Sequence, residues 1–180
     1  MNLPNKLTVF RACMVPVFVF VMLWDGFGEY GKYAAAAVFI LASATDWLDG
    51  YLARKNGLVT DFGKFMDPIA DKLLVCSAMI CLVENDALAA WIVIIIIGRE
   101  FIISGFRLVA SDNGLVIAAS YWGKFKTTFQ MLMIIVLLLD FGGIFDLIGQ
   151  ILIWAALILT VVSLADYLIK NKHVILEGSI

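Results

Sequence analysis

The sequence has 180 residues, of which 63% are hydrophobic and 16% are charged, with a mean hydropathy of +0.98 and a formal net charge of −2. Soluble domains are closer to half apolar and a quarter charged, so this composition excludes an ordinary soluble domain. The sequence also lacks Gly-rich nucleotide loops of the P-loop or Rossmann type and any nucleic-acid-binding signature. It therefore predicts an all-α polytopic membrane protein, a single domain over residues 1–180, without a nucleic-acid partner.

Six apolar stretches come close to the roughly 20 residues that a membrane-spanning helix needs. They cover residues 6–24, 33–54, 64–84, 87–109, 122–140 and 146–169. Arg11 interrupts the first stretch and no small-residue cleavage site follows it, so we expect a span rather than a cleaved signal peptide. Six spans place both termini on one side, and the loops of the other side carry only Lys32 as a cation. The positive-inside rule then predicts that both termini are cytoplasmic.

Four aspartates lie where the second and third stretches approach each other along the chain. Asp46 and Asp49 come near the end of the second stretch, and Asp67 and Asp71 come near the start of the third. A charged group inside a span costs a few kcal/mol, and therefore usually marks a functional site. The short connection makes the two helices antiparallel neighbours, so we expect the four carboxylates to converge at the cytoplasmic end of the bundle.

The converging carboxylates predict a site for divalent cations. Oxygen-only ligands favour hard ions such as Mg²⁺ or Mn²⁺, and two ions bridged by shared carboxylates suit phosphoryl transfer. Small residues share the two helical stripes with the acids and leave room for a bulky ligand; they are Gly50, Ala53 and Gly63. The alternative is that the acids form ion pairs at the membrane surface with the nearby cations Arg54, Lys64 and Lys72.

Written as spacing, this segment reads Asp46-x2-Asp49-Gly50-x2-Ala53-Arg54-x8-Gly63-x3-Asp67-x3-Asp71. It resembles the signature of the CDP-alcohol phosphotransferase family at all eight positions. The resemblance implies a six-helix fold of that family, usually homodimeric, with two divalent metal ions, Mg²⁺ or Mn²⁺. It also implies a CDP-linked lipid substrate bound at the cytoplasmic face of the bacterial cell membrane.

The resemblance assigns a role to each position of the signature. Asp46, Asp49 and Asp67 correspond to the carboxylates that hold the metal pair, and Asp71 corresponds to the fourth ligand and general base. The CDP-lipid is received by the small residues Gly50, Ala53 and Gly63, with Asp49 beside them and Arg54 near the phosphates. Thr45, just before the signature, is a further candidate on the nucleotide side.

Other blocks of sequence extend the resemblance beyond the signature. They are NLPNKLTVFRA, TDFGKFMDPIADKL, GREFIISGFR and GKFKTTFQ, and together they run from Asn2 to about Gln130. They resemble the bacterial branch of the family that transfers a phosphatidyl group from CDP-diacylglycerol to glycerol 3-phosphate. The last span is generic in comparison, without residues that point to a function.

A glycerol phosphate acceptor carries about two negative charges and requires cationic donors. The candidates are Arg99 and Arg107 on the fourth span, which point within about 80° of each other, and Lys124 and Lys126 at the start of the fifth. The alternatives are a simple ion pair between Arg99 and Glu100, and lysines that anchor the helix at the membrane interface.

Two further segments are candidates for the same region. Ser111 to Tyr121 reads as a loop that lies over the site. Near the amino terminus, Thr8 and Arg11 are candidates for phosphate contacts, although Arg11 extending to lipid headgroups is an equally good interpretation.

Two alternatives to this function remain. Within the family, the acceptor can instead be inositol phosphate, serine or phosphatidylglycerol. From another class, a small cation transporter would use the aspartates as its ion path. The second and third spans are apolar beyond the aspartates and offer no exit path, which argues against transport.

Overall fold

The computed structural model describes the backbone of residues 3–28, 30–56, 60–112 and 120–171. Within these ranges, the side chains of residues 3, 4, 47–56, 61, 64 and 112 lie outside the description. The described chain forms six α-helices, a short 3-10 turn at Asp25–Phe27 and no β-strand. The helices are α1 Leu3–Leu23, α2 Tyr30–Asn56, α3 Asp61–Glu84, α4 Ala90–Asp112, α5 Tyr121–Leu139 and α6 Ile144–Lys170.

These helices confirm the all-α class, and their ends lie within three residues of the six predicted stretches. One boundary needs correction, because α4 continues through Asp112 and the loop predicted from Ser111 therefore begins later. Residues 113–119 of that loop lie outside the described residues. Among the described residues, three helices are long and apolar enough to cross a membrane: Asn5–Leu23, Tyr121–Leu139 and Ile144–Lys170. The other helices, α2, α3 and α4, carry most of the candidate site residues.

The chain divides into two compact units. The first comprises Met1–Leu88 and Ile134–Phe141 and therefore contains α1, α2, α3 and the end of α5. In this unit α1 packs against both α2 and α3. Alanines on the buried faces of α2 and α3 permit close helix approach, and Phe18 packs on Phe39 with ring centroids 6.1 Å apart. Helix α1 is thus the central element of the first unit.

The second unit comprises Ala89–Met133 and Gly142–Ile180, and α4 packs on α6 within it. The buried face of α6 repeats every three or four residues, as expected for one face of a helix; its members are Gly149, Ile153, Ala156, Leu157, Thr160, Ser163 and Tyr167. The buried face of α4 includes Ile92, Ile96, Arg99 and Ile103. A charged residue, Arg99, therefore lies in line with the apolar contacts of the helix pair.

Candidate functional site

Helix α1 carries a buried polar stripe. Asn5, Thr8 and Arg11 follow at three-residue intervals, which places them along one side of the helix, and all three are buried. Arg11 has no exposed surface at all. A polar stripe of this kind needs partners, because a buried polar group without a hydrogen bond costs free energy. The partners lie on α2 and α3.

Two of the partners are aspartates of the signature. Thr8 Oγ1 donates a hydrogen bond to Asp67 Oδ1 at 2.5 Å, and Arg11 Nη1 forms an ion pair with Asp46 Oδ1 at 2.5 Å. Arg11 is thus buried against a carboxylate and does not extend to lipid headgroups. Helix α1 therefore connects directly to one carboxylate on α2 and to one on α3.

The start of α3 is fixed by a second set of contacts from the same stripe. Thr60 caps the helix by accepting a hydrogen bond from the Gly63 amide at 3.1 Å, and its hydroxyl donates to Asn5 Oδ1 at 2.8 Å. A Cβ atom on Gly63 would lie 3.3 Å from Thr60 Oγ1, 3.4 Å from Asn5 Oδ1 and 3.6 Å from Asp67 Oδ2. Gly63 is thus closely surrounded by oxygen atoms, and a larger residue there would press on Thr60 and Asn5.

This oxygen lining tests whether the residues fit divalent ions. Hard cations such as Mg²⁺ take oxygen ligands, and Asp46 and Asp67 present carboxylate oxygens from adjoining helices. Asp71 lies one turn beyond Asp67 on α3 and is half-buried. Among the described side chains no group of three potential ligands is assembled, and the side chain of Asp49 lies outside the description. The donor chemistry fits the predicted ions.

Most of the residues predicted on the CDP-lipid side fall outside the described side chains. Asp49, Gly50, Ala53 and Arg54 belong to the backbone of α2, and nothing further is described of them. Thr45 is half-buried, and its hydroxyl donates to the Ala42 carbonyl of its own helix at 2.6 Å. Gly63 and Thr45 are therefore the members of this set whose surroundings are described, and Gly63 lies in close packing against Thr60 and Asn5.

The second unit brings two of the four predicted cations together at one carboxylate. Arg99 Nη1 pairs with Glu100 Oε1 at 3.0 Å, and Lys126 Nζ pairs with the same oxygen. Both cations are buried, at 8% exposure for Arg99 and 1% for Lys126. Lys126 is therefore not an exposed interfacial anchor. Arg99 and Lys126 therefore share the carboxylate of Glu100.

The other two predicted cations are exposed. The Arg107 guanidinium lies over the ring of Tyr167, 5.8 Å from its centroid, in a cation–π contact between α4 and α6. Lys124 is exposed at the start of α5. The structure thus groups Arg99 with Lys126 and leaves Arg107 and Lys124 outside that group.

The helical fold and the spacing of the aspartates indicate a class of membrane transferase. Comparison with known proteins indicates the same class. Residues 1–162 match the CDP-alcohol phosphatidyltransferase family. The chain belongs to this family.

Relatives within the family give the comparison more detail. A CDP-diacylglycerol–glycerol-3-phosphate 3-phosphatidyltransferase of Bacillus subtilis (strain 168) is 46% identical, over 94% of this chain and 95% of the relative. The enzyme of that name from Haemophilus influenzae is 40% identical, over 98% of this chain and 97% of the relative. A probable phosphatidylglycerophosphate synthase of Mycobacterium tuberculosis (strain H37Rv) is 39% identical, over 94% of this chain and 81% of the relative.

Several contacting residues were not predicted from the sequence. Asn5 and Thr60 are ordinary polar residues outside the signature, and only the three-residue spacing of Asn5, Thr8 and Arg11 signals a buried polar face. The sequence indicates Glu100 only as a possible partner of Arg99, whereas the structure makes it the shared partner of Arg99 and Lys126. The sequence of the last span gave no reason to single out a residue.

Proposed function

We propose that this chain transfers the phosphatidyl group of CDP-diacylglycerol to glycerol 3-phosphate, giving phosphatidylglycerophosphate and CMP in anionic phospholipid synthesis. The observation that carries this proposal is the 46% identity, over nearly the full length of both proteins, to a relative named for this reaction. A second relative of the same name, at 40% identity, supports the same acceptor. The contacts described above involve two of the candidate metal ligands, Asp46 and Asp67, and two of the candidate cations, Arg99 and Lys126.

The proposal includes a membrane arrangement. All six helices cross the bacterial cytoplasmic membrane, both termini lie in the cytoplasm, and the site faces the cytoplasm. The three apolar helices support an arrangement that spans the membrane. The surplus of basic residues in the loops on the side of the two termini supports the orientation. The family match covers residues 1–162 and therefore parts of both compact units, which supports one membrane domain. We expect a homodimer, as the resemblance to the family implies.

Four carboxylates hold two divalent ions, Mg²⁺ or Mn²⁺, in this proposal: those of Asp46, Asp49, Asp67 and Asp71. Bound there, the ions neutralise charge on the transferring phosphate and on the departing CMP. The chain contributes the orientation of the ligands. Thr8 and Arg11 hold Asp67 and Asp46 from α1, so these two carboxylates are fixed by an element outside the signature.

Asp71 is the general base on the acceptor. Its carboxylate removes the proton from the primary hydroxyl of glycerol 3-phosphate, and the hydroxyl oxygen attacks the phosphorus that carries diacylglycerol. A new P–O bond forms, the bond between the two phosphates of the CDP-lipid breaks, and CMP leaves. The position of Asp71 one helical turn beyond Asp67 supports this role, because the base must lie near the reacting phosphate.

The CDP-lipid is bound on the side of α2 and the start of α3. Gly50, Ala53 and Gly63 make room for the nucleotide, and Arg54 contacts its phosphates. Asp49 and Thr45 line the same side. The close packing of Gly63 against the first turn of α3 supports a requirement for a small residue at this position.

The phosphate of the acceptor is bound by cations of the second unit. The candidates are Arg99, Arg107, Lys124 and Lys126, and the buried pair Arg99 and Lys126 has the stronger support. A phosphomonoester is an anion that buried cations can bind through charge-assisted hydrogen bonds. Serine, by contrast, brings no phosphate to such a cluster.

The experiment is a competition among acceptors. Purified protein in detergent receives CDP-diacylglycerol with glycerol 3-phosphate, inositol phosphate, serine or phosphatidylglycerol, and CMP release is measured with each. We expect kcat/KM to be highest for glycerol 3-phosphate. A higher value for another acceptor would replace the acceptor but keep the transferase chemistry, whereas cation transport without CMP release would overturn both.

A further inference from the structure

The guanidinium of Arg99 is held by residues of two helices, α4 and α6. Its Nε donates to Ser163 Oγ on α6 at 3.2 Å, and its Nη1 donates to Glu100 Oε1 on α4 at 3.0 Å. The same Glu100 oxygen pairs with Lys126 on α5. An arginine side chain has many rotamers, so contacts at two of its nitrogens on different helices restrict it strongly.

The third nitrogen of this guanidinium is in a different situation. Within the part of the chain that the structure describes, Nη2 of Arg99 has no hydrogen-bond partner. It faces Gly123 at the start of α5, where a Cβ atom would lie only 3.2 Å away. The missing side chain of Gly123 therefore keeps one edge of the guanidinium clear while the other nitrogens are occupied.

Ser163 is suited to hold the occupied edge. It has no exposed surface, and it lies on the buried face of α6. Its own hydroxyl donates to the Thr160 carbonyl at 3.0 Å, which leaves the oxygen lone pairs directed to accept from Arg99 Nε. Ser163 lies just beyond the residues that match the family, 1–162, so the match does not assign it a role.

We propose that Ser163 is a positioning residue for acceptor recognition: it fixes Arg99 so that the Nη2 edge beside Gly123 is presented to the phosphate of the acceptor. Glu100 holds the neighbouring Nη1, and α6 thereby takes part in substrate selection. This inference rests on the proposed function, because it takes the acceptor to be a phosphomonoester such as glycerol 3-phosphate.

The primary test is Ser163→Ala, with steady-state kinetics for both substrates. Loss of the hydrogen bond to a charged group should raise KM for glycerol 3-phosphate about tenfold. The KM for CDP-diacylglycerol should stay within about twofold of wild type, a change too small to count as a lost interaction. Thr160→Val is the matched control, since it removes another buried hydroxyl of α6 that bonds only within the helix. We expect this control to leave both KM values near wild type.

A double-mutant cycle tests whether Ser163 acts through Arg99. Lysine has no Nε, so in an Arg99→Lys background the change Ser163→Ala should have less than about a twofold further effect on KM for glycerol 3-phosphate. An equal effect in both backgrounds would overturn the inference. So would a Ser163→Ala protein in which both substrates lose affinity alike, because that pattern indicates a general structural role.

Gly123→Ala tests the orientation of Arg99 independently, from α5. This variant can be measured even if Ser163→Ala does not fold. A methyl group against Nη2 should raise KM for glycerol 3-phosphate selectively, and an unchanged value would contradict the proposed orientation of Arg99. Wild-type kinetics distinguish a failure of the proposed function from a failure of the role of Ser163. Absence of turnover with glycerol 3-phosphate contradicts the proposed function, whereas normal wild-type turnover without a selective Ser163 effect contradicts only this inference.

Discussion

Removing the hydrogen bond between Thr8 and Asp67 is the most direct way to test how the candidate metal ligands are oriented. Thr8→Val replaces the hydroxyl with a methyl group of nearly the same size, so the packing of α1 is kept. The change removes the 2.5 Å contact to Asp67 Oδ1 and puts an apolar group against a carboxylate oxygen. Asp67 would then lose the partner that orients it from α1.

The expected magnitude follows from the kind of bond that is lost. Hydrogen bonds to charged groups contribute about 1.5–3 kcal/mol, and outer partners of metal ligands typically account for about 10–100-fold in metal affinity. Thr8 is buried, so water does not readily replace its hydroxyl. We therefore expect Thr8→Val to weaken Mn²⁺ binding at least about tenfold, which corresponds to roughly 1.4 kcal/mol.

The assay is Mn²⁺ titration of the substrate-free protein in detergent, followed by the electron paramagnetic resonance signal of free Mn²⁺. Thr8→Ser keeps the hydroxyl and serves as the matched control, with expected affinity close to wild type. A Thr8→Val protein that binds Mn²⁺ as tightly as wild type would refute the argument that α1 orients the carboxylate of Asp67.

Three further predictions concern individual residues. Asp71→Asn should lower kcat at least about 100-fold while CDP-diacylglycerol still binds, because general bases contribute 10²–10⁴-fold; retention of more than about a tenth of kcat, measured by CMP release, would remove the base role. Gly63→Ala should raise KM for CDP-diacylglycerol more than KM for glycerol 3-phosphate, since its Cβ meets Thr60 and Asn5 at 3.3 and 3.4 Å; equal changes would argue against a nucleotide site there. Arg107→Ala should raise KM for glycerol 3-phosphate roughly tenfold, whereas Arg54→Ala should act on KM for CDP-diacylglycerol, and the reverse pattern would exchange the two assignments.

The helices themselves were predictable because the apolar stretches are long and are separated by short polar connections. A stretch of about 20 apolar residues allows few alternatives to a helix in a membrane. The aspartate signature was predictable for a related reason: charged residues inside apolar helices are costly and stand out in the sequence. The loop was predicted from Ser111 because the apolar pattern of α4 ends just before it. The helix nevertheless continues for two more polar residues, through Asp112.

The partners of the charged residues were less predictable, because they depend on which helices pack together. Arg11 had two equally good interpretations from sequence, and neither was the ion pair with Asp46, 35 residues away. Ser163 lies 64 residues from Arg99, in a span whose composition indicates only an apolar helix. Spacing along one helix identifies a face, but it does not identify the helix that covers that face.

The central claim is that the hydroxyl of glycerol 3-phosphate attacks the lipid-bearing phosphorus and displaces CMP. Glycerol 3-phosphate labelled with oxygen-18 at the primary hydroxyl tests this directly, with mass spectrometry of both products. We expect the label to be retained in phosphatidylglycerophosphate, with one unlabelled CMP released per lipid product. Label in CMP, or CMP release without a labelled lipid product, would contradict the account.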